Sequence, residues 1–116
     1  MSRSRTSQLA PWQVWWANFD PQVGHEQAGR RPAIVVGTAL ACSLSNGLAV
    51  VVPCTGTDRG LPYQPGVSIS GQTSYAMCDQ VRALSRDRLI ERHRGSLTTH
   101  EVEEIRFALA QIVQIR

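Results

Sequence analysis

Two apolar stretches, Pro32-Ala-Ile-Val-Val-Gly37 and Gly47-Leu-Ala-Val-Val-Val-Pro53, decide the fold of this chain. Each is a short run rich in β-branched residues and bounded by Gly or Pro, which is typical of a buried strand. Between them, Thr38 to Leu44 predicts one helical turn, and Ser45-Asn46-Gly47 predicts a tight turn. We therefore expect two buried strands at the centre of the fold.

Shorter strands flank this centre. Gln13 to Phe19 is aromatic and β-branched, and Asp20-Pro21 ends it. Alternation of polar and apolar side chains around Gly71 predicts a hairpin. Its strands are expected over 67–70 and 75–78, the second continuing over 81–84 before a helical turn at 85–89. Short strands at this close spacing predict a small antiparallel barrel.

The C-terminal segment changes to a helical period. Thr98-Thr-His-Glu101 matches a capping box, in which the Thr hydroxyl and the Glu carboxylate satisfy free backbone amides. Apolar residues then recur at spacings of three and four, at Val102, Ile105, Leu109 and Ile112. This pattern predicts an amphipathic helix of about four turns packed on the barrel. The predicted fold class is mainly β with α.

Length and composition limit the chain to one globular unit. It has 116 residues, 42% hydrophobic and 18% charged, which excludes a disordered, collagen-like or coiled-coil protein. We expect a flexible lead over residues 1–11 and a single domain over 12–116. No apolar stretch is long enough to span a bilayer, and no secretory signal is present, so no membrane partner is expected.

The charge of the chain indicates what kind of partner it can bind, and its cysteine content indicates in which compartment it works. All 12 basic residues are arginine, and against nine acids they leave a net charge of +3, which is compatible with a nucleic-acid partner without proving one. Arginine carries the planar fork that pairs with phosphate. Three cysteines without a CxxC spacing predict neither a disulfide framework nor a zinc site, and they favour a cytoplasmic location.

The usual catalytic signatures are missing from the sequence. The three histidines, His25, His93 and His100, lack metal-ligand spacing, and there is no GxSxG, P-loop or GxGxxG pattern. We therefore expect no metal and no cofactor. Polar residues at predicted strand ends remain, and they converge if the strands form one barrel; they are Glu26, Arg31, Thr55, Asp79 and Gln80.

Four blocks of the chain, taken in order, resemble the MazF/PemK family of toxin endoribonucleases. The first runs from Phe19-Asp-Pro-Gln-Val-Gly-His-Glu-Gln-Ala-Gly-Arg-Arg-Pro to Val36, the second is Val51-Val-Pro-Cys-Thr55, and the third is Cys78-Asp-Gln-Val-Arg82. The closing Gly95-Ser-Leu and the helix that follows complete a likeness over about residues 13–115. The sequence departs from the family pattern at Trp12-Gln13 and at Gly56, near the expected rim of the site.

The resemblance implies a small SH3-like antiparallel barrel (PemK/CcdB-type) with a C-terminal helix, and a function. Such toxins cut single-stranded RNA without metal, by attack of the ribose 2′-OH to give a 2′,3′-cyclic phosphate and a 5′-OH. The family pattern assigns catalysis to Arg31 and Thr55, with Glu26 as a secondary candidate. RNA contacts are expected from six further residues: His25, Gln27, Arg30, Asp79, Gln80 and Arg82. The implied partners are single-stranded RNA, a second copy of the chain, and a cognate antitoxin whose extended segment blocks the RNA groove.

Two alternatives stay open on the sequence. The CcdB toxins share this fold but are non-catalytic poisons that bind a protein partner, gyrase, through a tail ending in Trp-Gly-Ile. Here the tail is Ile112-Val-Gln-Ile-Arg116, without an aromatic residue, and the Arg31 and Thr55 pair is present. The second alternative is a catalytically inactive barrel that binds RNA or an antitoxin.

Overall fold

The computed structural model describes residues 8–19 and 30–114. Seven strands and two helices lie within these ranges. They are β1 (Val14–Asn18), β2 (Arg30–Val35), α1 (Ala39–Ser43), β3 (Leu48–Thr55), β4 (Gly66–Ile69), β5 (Gln72–Ala76), β6 (Arg82–Ser85), β7 (Leu89–Arg92) and α2 (Thr99–Ile112). Single 3₁₀ turns at Cys78–Gln80 and Arg86–Arg88 flank β6. None of the helices in these ranges has both the length and the apolar content that a bilayer crossing requires.

The eight-residue strand β3 organises the sheet. The strand order is β4-β5-β3-β2-β1-β7, and all the pairs are antiparallel. On one side β3 pairs with β2, with Ala33 opposite Pro53. On its other side the first half of β3 pairs with β6 and the last two residues pair with β5. The predicted antiparallel β fold with a C-terminal helix is confirmed.

The sheet has a hydrophobic core on each of its two faces. Side chains along β2 and β3 point alternately into one core and into the other. Ile34 and Val52 point into a helix-side core that includes Ile105 of α2. Ala33 and Val51, their neighbours along the strands, point into an opposite core. Strands buried on both faces read as continuous apolar runs, which is why the two central stretches could be recognised from sequence.

The capping box of α2 also fastens the helix to the hairpin. The Thr98 hydroxyl accepts a hydrogen bond from the Glu101 amide at 3.0 Å, and the Glu101 carboxylate accepts one from the Thr98 amide at 2.8 Å. The second carboxylate oxygen of Glu101 accepts a hydrogen bond from the amide of Ser68 in β4, at 2.8 Å. The predicted helix start is thus confirmed, and one carboxylate both caps the helix and positions it.

Three features differ from the sequence-based expectation. The segment over 81–84 does not continue β5; after the 3₁₀ turn it forms β6, which pairs with a different part of β3. The last strand, Leu89–Arg92, was not predicted, because an edge strand with three exposed residues lacks a clean apolar alternation. Leu9 is only 8% exposed and packs in the opposite core, so the folded part of the chain begins earlier than residue 12.

The guanidinium of Arg86 holds the short helix α1 against β3. Its Nε donates a hydrogen bond to the Leu48 carbonyl at 2.7 Å, and its Nη2 donates to the carbonyls of Cys42 and Leu44 at 2.9 and 3.2 Å. Helix α1 has no buried residue of its own. These charge-assisted bonds therefore add to the limited apolar packing of this helix, in which the half-buried Cys42 contacts the opposite core.

We predict that Arg86→Ala lowers the free energy of unfolding by about 3 kcal/mol, since several hydrogen bonds from a charged donor are lost at once. Urea unfolding of the variant and of the parent protein measures the difference. The matched control is Arg106→Ala, which removes an exposed arginine from α2 and should cost under about 1 kcal/mol. A loss at Arg86 no greater than that of the control would contradict the anchoring role.

Candidate functional site

The start of β2 and the end of β3 meet at one end of the sheet. Ala33 lies opposite Pro53, and Arg31 and Thr55 are each two residues beyond this pair toward the same sheet end. Because side chains alternate along a strand, residues two apart share a face. Arg31 and Thr55 therefore leave the same face of the sheet from neighbouring strands.

Both side chains retain their hydrogen-bonding capacity. Arg31 is exposed, and its guanidinium has no hydrogen-bond or ion-pair partner within residues 8–19 and 30–114. Thr55 is half-buried, and its hydroxyl oxygen accepts a hydrogen bond from the Thr57 amide at 3.2 Å. That bond fixes the position of the oxygen and leaves its hydrogen free to be donated. A cation and a hydroxyl are thus presented together to a ligand.

An arginine stacked on an aromatic ring lies on the same face. Arg82 is opposite Val51 and Phe19 follows Ala17 by two residues, which places both on the face of Arg31 and Thr55. The guanidinium carbon of Arg82 is 4.8 Å from the centre of the Phe19 ring. This cation–π contact orients a guanidinium whose hydrogen-bond donors have no partner within the described ranges.

Arg59 reaches this face from the segment between β3 and β4, and the sequence did not single it out. Its Nη1 donates to the sulfur of Met77 at 3.2 Å, and the Met77 amide donates to the Pro53 carbonyl at 2.9 Å. The turn that carries it is visible in the sequence as Asp58-Arg59-Gly60, with Gly60 at a φ of +66°. Which face the turn would cover depends on the sheet register, which the sequence does not show.

Asp79 and Gln80 lie in the 3₁₀ turn after β5, and Asp79 has a structural partner. Its carboxylate accepts a hydrogen bond at 2.9 Å from the amide nitrogen of Gln64, a side chain only 5% exposed. Asp79 thereby ties the segment between β3 and β4 to this turn. Gln80 is exposed. No contact among the described residues joins either side chain to Arg31 or Thr55.

Arg30 faces away from Arg31, although the two are adjacent in sequence. It lies opposite Asn18, its guanidinium is 5.9 Å from the Trp16 ring centre, and it forms an ion pair with Glu91 at 3.3 Å. An exposed pair of this kind contributes under about 1 kcal/mol, so the pair does not lock the side chain. The other predicted site residues, His25, Glu26 and Gln27, lie outside the described residues.

Comparison with known proteins settles the family. A model of the PemK-like, MazF-like toxins of type II toxin–antitoxin systems matches residues 10–113. The chain belongs to this family. The toxin is 31% identical over 91 residues to the endoribonuclease toxin MazF of Escherichia coli (strain K12), an alignment that covers 78% of this chain and 81% of that protein.

Solved structures agree with this assignment. The crystal structure of MazF from Deinococcus radiodurans superposes with a TM-score of 0.74 at 30% identity, covering 91% of the toxin and 96% of that chain. A MazE–MazF structure from the same organism gives a TM-score of 0.73 at 30% identity, covering 92% and 96%. These similarities confirm the predicted family and favour it over the CcdB-like alternative.

The three cysteines of the toxin are free thiols, and two of them are fully buried. Burial raises the pKa of Cys54 and of Cys78 to about 12, with a smaller upward contribution from Cys78 on Cys54 and from Asp79 on Cys78. Burial also raises the pKa of the half-buried Cys42, and the charge of Arg86 partly offsets the rise. Cys54 therefore stays a neutral thiol at physiological pH, although it is the neighbour of Thr55.

We predict that the folded toxin exposes a single reactive thiol, Cys42. At pH 8 a thiol-reactive chromophore such as Ellman's reagent should label one cysteine per chain, because Cys54 and Cys78 are buried and their pKa values are raised to about 12, whereas Cys42 is accessible and Arg86 partly offsets the rise of its pKa. In denaturant, where the pKa values return to the ordinary range, all three should react. Fast labelling of Cys54 in the folded protein would show that the helix-side core opens readily, contrary to its burial.

Proposed function

We propose that this toxin is a metal-independent endoribonuclease that cleaves single-stranded RNA at the face carrying Arg31 and Thr55. One observation carries the proposal: the β2–β3 register brings a guanidinium and a hydroxyl to the same face, and neither group's donors have a partner among residues 8–19 and 30–114. The family likeness and the endoribonuclease relatives support it. The proposed reaction converts a phosphodiester to a 2′,3′-cyclic phosphate and a 5′-OH.

The reaction needs hydrogen-bond donors that stabilise the negative charge developing on the oxygen atoms bound to phosphorus. As the 2′-oxygen attacks, the O2′–P bond forms and the P–O5′ bond breaks; a general base takes the proton of the 2′-hydroxyl, and a general acid gives one to the leaving 5′-oxygen. The fork of Arg31 fits two non-bridging oxygens of the phosphorane, and the Thr55 hydroxyl donates a further hydrogen bond. From the family likeness we assign Arg31 as the proton donor to O5′, and Glu26 as a secondary candidate that orients Arg31 or contacts the RNA.

The other arginines on this face suit RNA binding. Arg82 stacks on Phe19, and Arg59 sits over Met77, so both guanidinium groups are oriented by contacts that leave hydrogen-bond donors for phosphate oxygens. We assign them to the nucleotides next to the scissile phosphate. Gln80 and Asp79, on the neighbouring turn, are the candidates for contacts with base edges, which carry the sequence preference.

We predict that the purified toxin cuts single-stranded RNA in excess EDTA and leaves intact an oligonucleotide with 2′-deoxyribose at the scissile position. Arg31→Ala should reduce kcat by roughly 10²–10³-fold, the usual loss of one transition-state donor. Thr55→Val, which keeps the shape and removes the hydroxyl, should reduce kcat on the order of tenfold or more. Product analysis should find cyclic-phosphate ends.

The matched control for charge is Arg106→Ala, which removes an arginine from α2 and should leave kcat unchanged. Circular dichroism and urea unfolding show whether each variant is folded. Full activity in a folded Arg31→Ala variant would overturn its assigned role. Absence of cleavage by the parent protein across a cellular RNA pool would instead favour the inactive, binding-only barrel.

We also propose that a cognate antitoxin silences the toxin in the cytoplasm by covering this face. Structures of relatives contain MazE with MazF, and a mycobacterial endoribonuclease is found in complex with its cognate antitoxin. The arginine-rich face favours an acidic or extended peptide segment as the inhibitor. The free thiols fit a reducing compartment.

The working form that we propose is a homodimer, which would double the positive charge offered to RNA. Large apolar side chains are exposed on the described part of the chain, with Leu40 of α1 71% exposed and Phe107 of α2 67% exposed. Ile112 and Val113 at the end of α2 are about 40% exposed as well. An apolar surface of this kind is what a partner chain can cover.

We predict a mass of two chains by light scattering at micromolar concentration. Phe107→Glu places a charge in the proposed interface and should weaken dimerisation at least about tenfold, equivalent to about 1.4 kcal/mol. The control Gln72→Glu adds the same charge at the β4–β5 turn and should leave the dimer intact. A monomeric parent protein, or a Phe107→Glu variant as dimeric as the control, would contradict the proposed interface.

A further inference from the structure

The segment from β6 to the end of β7 is strongly basic, and its arginines differ in their partners. It contains five arginines and two carboxylates between positions 82 and 94. Arg82 stacks on Phe19, Arg86 binds carbonyl oxygens of α1, and Arg88 donates to the Asn18 carbonyl at 3.1 Å. Arg92 and Arg94 are the two whose guanidinium groups have no partner among residues 8–19 and 30–114.

The backbone that carries these two arginines is held firmly. The amide of His93 donates to the Val14 carbonyl at 2.8 Å, which extends the pairing of β7 with β1 by one residue. The His93 ring lies so close to Gly95 that a Cβ there would come within 2.7 Å of Nε2. His93 is half-buried and the arginines on either side of it are exposed. Both arginines line one surface cavity of about 460 Å³.

The pair lies a short way from the proposed scissile phosphate. Arg92 is opposite Trp15 on β1, and Trp15 is opposite Ala33 on β2, two residues from Arg31. Two strand spacings across and two residues along the sheet give a Cα separation on the order of 12 Å between Arg92 and Arg31. A few nucleotides of extended single strand cover that distance.

We propose that Arg92 and Arg94 form a second phosphate-binding site, which holds the backbone of the RNA substrate beyond the cleaved bond. The inference rests on the proposed ribonuclease function. Two arginine forks at the end of β7, without a partner in the part of the chain that the structure describes, suit consecutive phosphates, whose charge such contacts neutralise with release of counterions. The nearest carboxylate along β7, Glu91, is opposite Trp16 and therefore lies on the other face of the strand from Arg92, where it pairs with Arg30.

The test compares cleavage of two RNAs by Arg92→Gln/Arg94→Gln. One RNA is long and contains a mapped cut site. The other is a short oligonucleotide that contains the cut bond but ends before the strand would reach Arg92 and Arg94. On the long RNA we expect KM to rise about tenfold with kcat unchanged, and on the short one neither constant should change. The association constant of the long RNA should also depend less on salt. The slope of its logarithm against the logarithm of the salt concentration should become shallower by about 1.4, or about 0.7 for each arginine.

Arg106→Gln is the control for loss of a positive charge elsewhere, since Arg106 lies on α2 and is stacked on Trp12, which packs against the helix-side core. It should leave the salt slope and KM of the long RNA unchanged. If the double variant also has the parent's slope and KM, the second site does not exist. Failure of the parent protein to cut either RNA would instead sink the ribonuclease assignment.

A titration with a poly-glutamate peptide separates RNA from an acidic protein partner. If the double variant binds the long RNA as the parent does but loses affinity for the peptide, the surface takes an acidic protein segment and the proposal is wrong. If it loses affinity for the RNA and binds the peptide unchanged, the site belongs to the nucleic acid. Equal losses for both probes with an unchanged salt slope would also count against specific phosphate contacts.

Discussion

The register between β2 and β3 is the constraint on which the proposed site depends. With Ala33 opposite Pro53, the residues next toward the end of the sheet include Arg31 and Thr55 on one face. A slip of one residue would send every side chain of a strand to the other face. Ile34 would then enter the core that now holds Ala33, so the packing of two complete cores fixes the geometry of the site.

Some of the arginines that the structure describes make contacts within the protein, and others are exposed. Arg86 is a structural residue that binds backbone carbonyls, and Arg30 and Arg82 rest on aromatic rings. Arg31, Arg92 and Arg94 have no partner for their donors among the residues that the structure describes. Composition alone shows only a modest positive charge, whereas the three-dimensional arrangement concentrates the available donors near β1, β2 and β7. The positions of the arginines therefore indicate where the toxin binds a ligand, which its net charge does not.

The sequence predicted most of the fold, because continuous apolar runs and a capping box are local signals. The central strands, the hairpin around Gly71, the turn of α1 and the start of α2 at Thr98 all appear in the structure. The edge strand β7 and the separation of β6 from β5 were missed, since both depend on partners distant in sequence. For the proposed site, the family pattern predicts the pair Arg31 and Thr55, and the register places the two on one face. The opposite orientations of Arg30 and Arg31, and the reach of Arg59, required the register.

The fully buried Pro53 shows how a residue that lacks an amide hydrogen can redirect a sheet. Its carbonyl accepts a hydrogen bond from the Met77 amide, but its nitrogen has no hydrogen to return to Met77. The Met77 carbonyl instead accepts from Gln80 at 2.9 Å, and this bond closes the 3₁₀ turn. Pro53 thus lies at the point along β3 where the neighbouring strand changes from β6, which pairs with Leu48–Val51, to β5, which pairs with Cys54 and Thr55.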